Sequence, residues 1–387
     1  MGVLSGYGAP SVGNVAGSEA EARGGRWYSH ALLRAAAWRS ARACEWPSSE
    51  GDVIALSRTD SGSPARPGSP DPGGTSDKSD KPVQYAYLGP EGTFTEAALL
   101  AFDPGAAGHA MPCVSIQATL DAVRTGAAEQ GIVPIENSVE GAVTATLDAL
   151  ATGQDLVISA EVPLPVAFAL LGRPGTQLAD VTTVGGHPQA QAQCRRWLEE
   201  HLPHAAWRPA SSNAEAVRQV ADGELDAALA GAFAADMYGL AVLAADTHDH
   251  ANAVTRFVVV NRPGPLPPAT GSDRTSLVAF LREDHPGALM ELLTEFAVRG
   301  VNLVRIESRP TGDGLGQYYF SIDCEGHVDD ARVGEALMGL RRVCADVRFL
   351  GSYPRHDGGP THVRRGTSDT EFAQAAAWLG RLRYGRV

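Results

Sequence analysis

Three short segments of this chain set small polar side chains where a strand gives way to a helix. They are LGPEGTFTEAA (88–98), PIENSVEG (134–141) and GGHPQAQAQC (185–194). Helix starts carry unpaired N–H groups and the positive end of the helix dipole, so they suit anions. Each contributes about 0.3–1 kcal/mol when exposed and up to ~2 kcal/mol when partly buried. Thr93 with Glu96 three residues on reads as a capping box, which fixes one such start. On spacing alone, ordinary capping accounts for Asn137, Ser138 and Gln189; the three segments taken together point to a polar cleft. A further segment, HANAVTRFVVV (250–260), brings Thr255 and Arg256 to the entry of an apolar strand. An arginine there can meet a carboxylate through two parallel charge-assisted bonds, worth roughly 1.5–3 kcal/mol. Without more information, the simpler readings are a structural salt bridge for Arg256 and a backbone-bonded hydroxyl for Thr255. His187, lying just before Pro188, reads as a helix-entry residue more than as an acid or base.

The elements that must hold these residues alternate in type. Strands are expected at 83–89, 131–137, 181–186 and 255–260, with 155–172 extended because its prolines bar a helix. Helices are expected from Thr93 to Phe102, over 143–150 and 188–202, and from Asn213 to Ala221. Alternating strands and helices argue for an α/β sheet, and this much chain allows two lobes with a cleft. NRPGPLPPATGSD (261–273) reads as a linker. Beyond it, strand 276–281, a helix with Leu289, Leu292, Leu293 and Phe296 on one face, strand 301–308 and a two-residue alternation from Gln317 to Cys324 follow. A helix carrying Val333, Ala336, Leu337, Leu340 and Cys344, then strand 347–351, complete β-α-β-β-α-β, the ferredoxin-like plan.

Composition limits what the cleft can serve. The 387 residues suggest two or three domains. With 32 basic against 45 acidic residues the net charge is −13, which argues against a nucleic-acid or anionic-membrane surface but leaves an anionic small molecule open. No run of 18 apolar residues appears, so no membrane span is expected. Five scattered cysteines without a CxxC pair fit reduced thiols in a cytoplasmic protein and offer no zinc site. His248 and His250, which flank Asp249, read as solvated. No P-loop or GxGxxG follows a strand, so nucleotide binding is not supported. Residues 1–82 form a separate piece, expected to be a disordered extension, in which 23–44 could make a short helix and 61–82 a flexible linker. The tail, 355–387, is polar and rich in arginine.

Together these residues resemble the prephenate dehydratase family. LGPEGTFTEAA, VPIENSVEG, HPQAQAQC, YGLAVLA and above all VTRFVVV carry the likeness over 83–262, and GALMELLTEFAVRGVNLVRIESRP (287–310) resembles the regulatory ACT domain, here 275–354. The resemblance implies a two-lobed catalytic domain like a type II periplasmic binding protein, joined to the ferredoxin-like domain. It implies loss of water and carbon dioxide from prephenate to give phenylpyruvate in phenylalanine biosynthesis, without a cofactor, by a homodimer or homotetramer. Thr255, Arg256 and Phe257 are then the catalytic set. Thr93, Phe94, Glu136, Asn137, Ser138, His187 and Gln189 are the substrate-binding set. Gly287, Ala288, Leu289, Asn302, Glu307, Ser308, Arg309 and Pro310 are the phenylalanine-binding set, between ACT subunits. The expectation is that Arg256 and the helix starts grip the substrate carboxylates, and that Arg256 polarises Thr255 as it eases the ring hydroxyl away. Gly186 stands where the family usually has serine. Arogenate dehydratase, and from another class a non-catalytic amino-acid sensor, are the alternative readings.

Overall fold

The computed structural model describes residues 83–312, 314 and 317–385. The expected N-terminal extension, 1–82, with its helix at 23–44, lies outside the described residues. Among the described residues no helix is long and apolar enough to cross a membrane.

The first lobe comprises strands β1 (Tyr85–Leu88), β2 (Ala110–Cys113), β3 (Gln130–Asn137), β4 (Gly141–Ala142) and β5 (Val157–Pro165). Its helices are α1 (Phe94–Phe102), α2 (Ile116–Thr125) and α3 (Thr144–Ala151). The second lobe holds β6 (Ala169–Gly172), β7 (Thr183–Gly186), β8 (Ala206–Pro209), β9 (Ala227–Ala230) and β10 (Ala241–Ala244), with α4 (Pro188–Gln193), α5 (Arg195–His201), α6 (Asn213–Ala221) and α7 (Phe233–Met237). Then β11 (Val254–Asn261) returns to the first sheet, whose order is β2-β1-β3-β11-β5; the second runs β10-β6-β9-β7-β8. The chain therefore crosses between lobes twice, and Thr255 stands just after the second crossing. The helix expected over 188–202 is instead two, parted at Cys194. Asp249 accounts for the break: its carboxylate accepts from the backbone N–H groups of Arg196 and Trp197 and so caps α5 separately.

Residues 273–354 build β12 (Asp273–Phe280), α8 (Ala288–Ala297), β13 (Leu303–Pro310), β14 (Tyr318–Glu325), α9 (Ala331–Val343) and β15 (Asp346–Pro354), in the antiparallel order β13-β14-β12-β15. That is the expected ferredoxin-like plan. A last helix, α10 (Asp369–Arg383), opens on a complete capping box between Ser368 and Glu371.

The linker at 261–273 does not leave this third unit free. On β11, Phe257 and Val259 face α1 with Tyr85, Tyr87 and Leu99, while Val258 and Val260 face the opposite way. There they share one core with Leu147 and Ile158 of the first lobe and with Val278, Leu350 and Tyr353 of the third sheet. Each such side chain contributes roughly 1.5–3 kcal/mol on full burial. Gly351 shows how close the approach is: a Cβ there would lie 2.3 Å from the Ile158 carbonyl oxygen, at a φ of +128°. The alternation on β14 does not separate core from solvent. Tyr319, Ser321 and Asp323 are as buried as Phe320 and Ile322, because the polar face of β14 is turned toward the first sheet.

Candidate active site

The pairing of β11 with β3 sets Thr255 opposite Asn137 and Arg256 opposite Glu136. A bulge follows, so that Phe257 pairs with Pro134 and Ile135 is the extra residue. Bulges re-aim side chains. Here Ile135 and Glu136 come to lie on one side of the sheet, and Asn137 reaches the side of Thr255. The Asn137 Nδ2 donates to Thr255 Oγ1 at 2.9 Å. The amide cannot be turned around, because its Oδ1 accepts from the N–H groups of Val139 and Glu140 at 2.8 and 3.1 Å. Thr255 is buried, and with its oxygen accepting from Asn137 its own hydrogen is directed away from that amide.

Arg256 is not placed as a clamp for a ligand carboxylate. Successive residues of a strand point to opposite faces, so Arg256 leaves the side of Thr255. Its guanidinium, on a residue 9% exposed, bonds Glu136 Oε2 at 3.1 Å, Glu161 Oε2 at 3.4 Å and Asp323 Oδ2 at 2.6 Å. The expectations that it grips substrate and polarises Thr255 are corrected: it forms the structural salt bridge, and Asn137 is the neighbour of the hydroxyl. Glu136 goes with it, turned toward the third sheet. Asp323 is fully buried and also takes two bonds from Arg305, at 2.9 and 3.0 Å, and one from Ser276 Oγ at 2.7 Å. Burial alone would raise the Asp323 pKa, but Arg305 and Arg256 hold it well below the usual carboxylate range. Arg274 joins through Glu161 at 2.5 Å. Glu161, Arg274, Arg305 and Asp323 were not singled out from sequence; the polar half of β14 was the available signal.

The remaining candidates gather where the lobes meet. Thr93 caps α1, accepting from Glu96 N, while Glu96 reaches back to the N–H of Gly92 and not to that of Thr93. Phe94 stacks edge-on against Phe168 and Phe233 of the second lobe, both with ring centroids 5.4 Å away. No helix starts at Ser138, contrary to expectation. Residues 138–140 form a turn held by Asn137, and α3 begins six residues later at Thr144. Ser138 Oγ accepts from Val254 N at 2.9 Å. His187 does cap α4, with its Nδ1 accepting from Gln189 N. Glu140 spans the lobes: its carboxylate accepts from the side-chain amides of Gln189 and Gln193, beside a groove of about 370 Å³ that His250 also lines.

Gly186 has a local explanation. A Cβ there would lie 2.8 Å from Cη2 of Trp207, which occupies the space of the usual serine. Gly186→Ser is expected to cost about 1–3 kcal/mol in thermal unfolding, with most of the loss recovered when Trp207 is shortened to Phe in the same chain.

The effector candidates divide by position. Gly287, at a φ of +100°, starts α8, with Ala288 buried and Leu289 partly exposed. Ser308, Arg309 and Pro310 end β13 at the same end of the sheet, where Arg309 pairs with Tyr319 and Tyr319 with Phe280. Asn302 lies at the other end of β13, bonding Glu325 N through its carbonyl. A single chain therefore does not bring all eight together. Arg309 holds Asp148 of α3 by two bonds, at 3.0 and 2.8 Å, and Tyr319 donates to the same carboxylate. Arg309 keeps the Asp148 pKa below the usual range. This junction is complete above the unfolded carboxylate pKa of ~3.9 and weakens as pH falls through the lowered value.

The prephenate dehydratase family model matches residues 85–265, and the ACT domain model matches 275–342. A prephenate dehydratase of Mycobacterium marinum is 51% identical over 313 residues, covering 79% of this chain and 97% of that protein. Among solved structures, prephenate dehydratase of Arthrobacter aurescens in complex with L-Phe is 51% identical, with a TM-score of 0.75, over 78% of this chain and 100% of that one. A quorum-quenching acylase is 31% identical, with a TM-score of 0.62, over 70% of this chain and 97% of that one.

Proposed function

The chain belongs to the prephenate dehydratase family, and from that premise we propose that it converts prephenate to phenylpyruvate, water and carbon dioxide with Thr255 assisting the leaving hydroxyl. The observation that carries this is the bond from Asn137 Nδ2 to Thr255 Oγ1 at 2.9 Å. The ring carboxyl departs as carbon dioxide. Its bonding electrons enter the ring, and the ring hydroxyl leaves with the C–O pair. The leaving oxygen gathers negative charge and takes the Thr255 hydroxyl proton as the C–O bond breaks, departing as water; a proton from solvent then restores the Thr255 hydroxyl. Asn137 steadies the charge that develops on Thr255 in turn, and holds the hydroxyl in one orientation beforehand. Phe257, two residues on and so on the same face of β11 as Thr255, is packed in the core with Tyr87 and Leu99 and belongs to the support of the strand, not to the reacting groups.

The substrate is a dianion, and Arg256 is committed to protein carboxylates. We assign the carboxylates to Ser138, whose hydroxyl keeps its hydrogen to give, and to the amides of Gln189 and Gln193. Those two amides already hold a carboxylate, that of Glu140, so a substrate carboxylate replaces it bond for bond. Thr93, Phe94 and His187 shape the lobe contact around this site.

Phenylalanine is the effector in this reading, and two chains form its site. The edge strand β13 exposes Val304, Ile306, Ser308 and Pro310. Antiparallel pairing of two such edges sets Asn302 of one chain near Ser308–Pro310 of the other, which gathers the eight candidates that one chain separates. Saturating phenylalanine at about 100 times its Kd is expected to stabilise the protein by ~2.7 kcal/mol and to change turnover. Thermal unfolding and sedimentation with and without the amino acid check this; no change in stability, turnover or oligomer would count against the site.

The deciding experiment is direct: purified protein and prephenate, with phenylpyruvate read as its enolate in alkali. Parallel rates on arogenate decide between the two substrates. Turnover of neither would favour a non-catalytic sensor.

A further inference from the structure

Asp323, Ser276 and Tyr353 lie outside the family motifs, and Arg305 falls within the ACT-like run 287–310. Asp323 and Tyr353 bond Arg256, the residue next to Thr255, while Arg305 and Ser276 bond Asp323. Three arginines, Arg256, Arg274 and Arg305, face three carboxylates, Glu136, Glu161 and Asp323, across the junction of the first and third sheets. Tyr353 Oη lies 2.7 Å from Ser276 Oγ and accepts from Arg256 Nη1 at 3.5 Å. Arg305 sits on β13, two residues before Glu307, so one strand carries both a network member and the effector candidates.

We propose that Asp323, backed by Arg305, is a positioning residue for the dehydratase reaction: the third sheet holds Arg256, and through its backbone sets where Thr255 stands. This rests on the reading of Thr255 as the group that meets the leaving hydroxyl. Buried charges far from water must pair in a defined geometry, so the network favours discrete arrangements over gradual ones. A shift of β13 moves Arg305, and Asp323 must follow it or give up two of its bonds. Either way the contact to Arg256 changes, one residue from the chemistry. The catalytic strand and the regulatory sheet then act as one element, and effector binding reaches the rate of the chemical step without touching the cleft.

The experiment uses the full chain. Asp323→Asn keeps the size and the bond to Ser276 but removes the charge. It is expected to lower kcat on the order of 10–100-fold with KM within about twofold, and to weaken the response of kcat to phenylalanine. Arg348→Ala is the comparison. Arg348 bonds Asp155 and the Leu150 carbonyl from the same sheet without touching Arg256, and its loss is expected to lower stability and leave kcat alone. Should Asp323→Asn fail to fold, Tyr353→Phe leaves the charges balanced and is expected to lower kcat several-fold. A folded Asp323→Asn or Tyr353→Phe protein with normal kcat and a full phenylalanine response would overturn the proposal. So would an equal loss of kcat in Arg348→Ala. Full activity in Thr255→Ala would instead sink the assignment of Thr255, a separate failure.

Discussion

Thr255→Ala is expected to lower kcat by about 10²–10³-fold while KM changes by no more than a few-fold. The reason is local. Binding of the dianion falls to other groups, whereas Thr255 meets an oxygen whose charge grows only as its bond to the ring breaks. An interaction made in the transition state alone lowers kcat when it is lost and leaves ground-state binding in place. Thr255→Ser should retain most of the rate, since it keeps the hydroxyl. Asn137→Asp gives a sharper check. The carboxylate has the amide's shape but cannot donate, so Thr255 would turn its hydrogen toward residue 137 and away from substrate. A loss of roughly 10²-fold is expected, with circular dichroism unchanged. Steady-state rates of phenylpyruvate formation measure all three. Equal losses in kcat and affinity for Thr255→Ala would remove it from this role.

The same strand shows what could be read before any coordinates. The run of valines after Phe257 identified a buried strand, and the βαββαβ order followed from spacing alone. Both rest on local periodicity. The orientation of Arg256 was also within reach, because neighbours on a strand cannot face the same side, so Thr255 and Arg256 could not both serve one cleft. What hid it was the motif, which presents them as a pair. Other features were not legible, since each depends on a distant partner. Asp249 breaks the helix at Cys194 from across 53 residues, and Trp207 explains Gly186 from the next strand. Asn137 takes the N–H groups that a helix start near Ser138 would have left open. Asp323 stands on the polar side of an alternating strand, and only the packing of one sheet on another buries it fully.

Arg256→Met tests that burial most severely. The replacement roughly matches the volume but leaves Glu136, Glu161 and Asp323 short of one positive charge. Breaking a buried ion pair from one side costs about 3–5 kcal/mol, more than an exposed pair at about 0–1 kcal/mol. A fall in Tm of roughly 5–15 °C is expected at neutral pH. The pH dependence separates charge from packing. In the native protein the Asp323 pKa is depressed, so its contribution is complete above the unfolded value of ~3.9 and is lost only in strong acid. Without Arg256 its carboxyl is less well compensated and takes up a proton at higher pH. The gap in stability between native and Arg256→Met proteins should therefore narrow as pH falls through the ordinary carboxylate range. A gap independent of pH would mean that the lost contacts were packing, and that the charges on either side of the junction do not depend on one another.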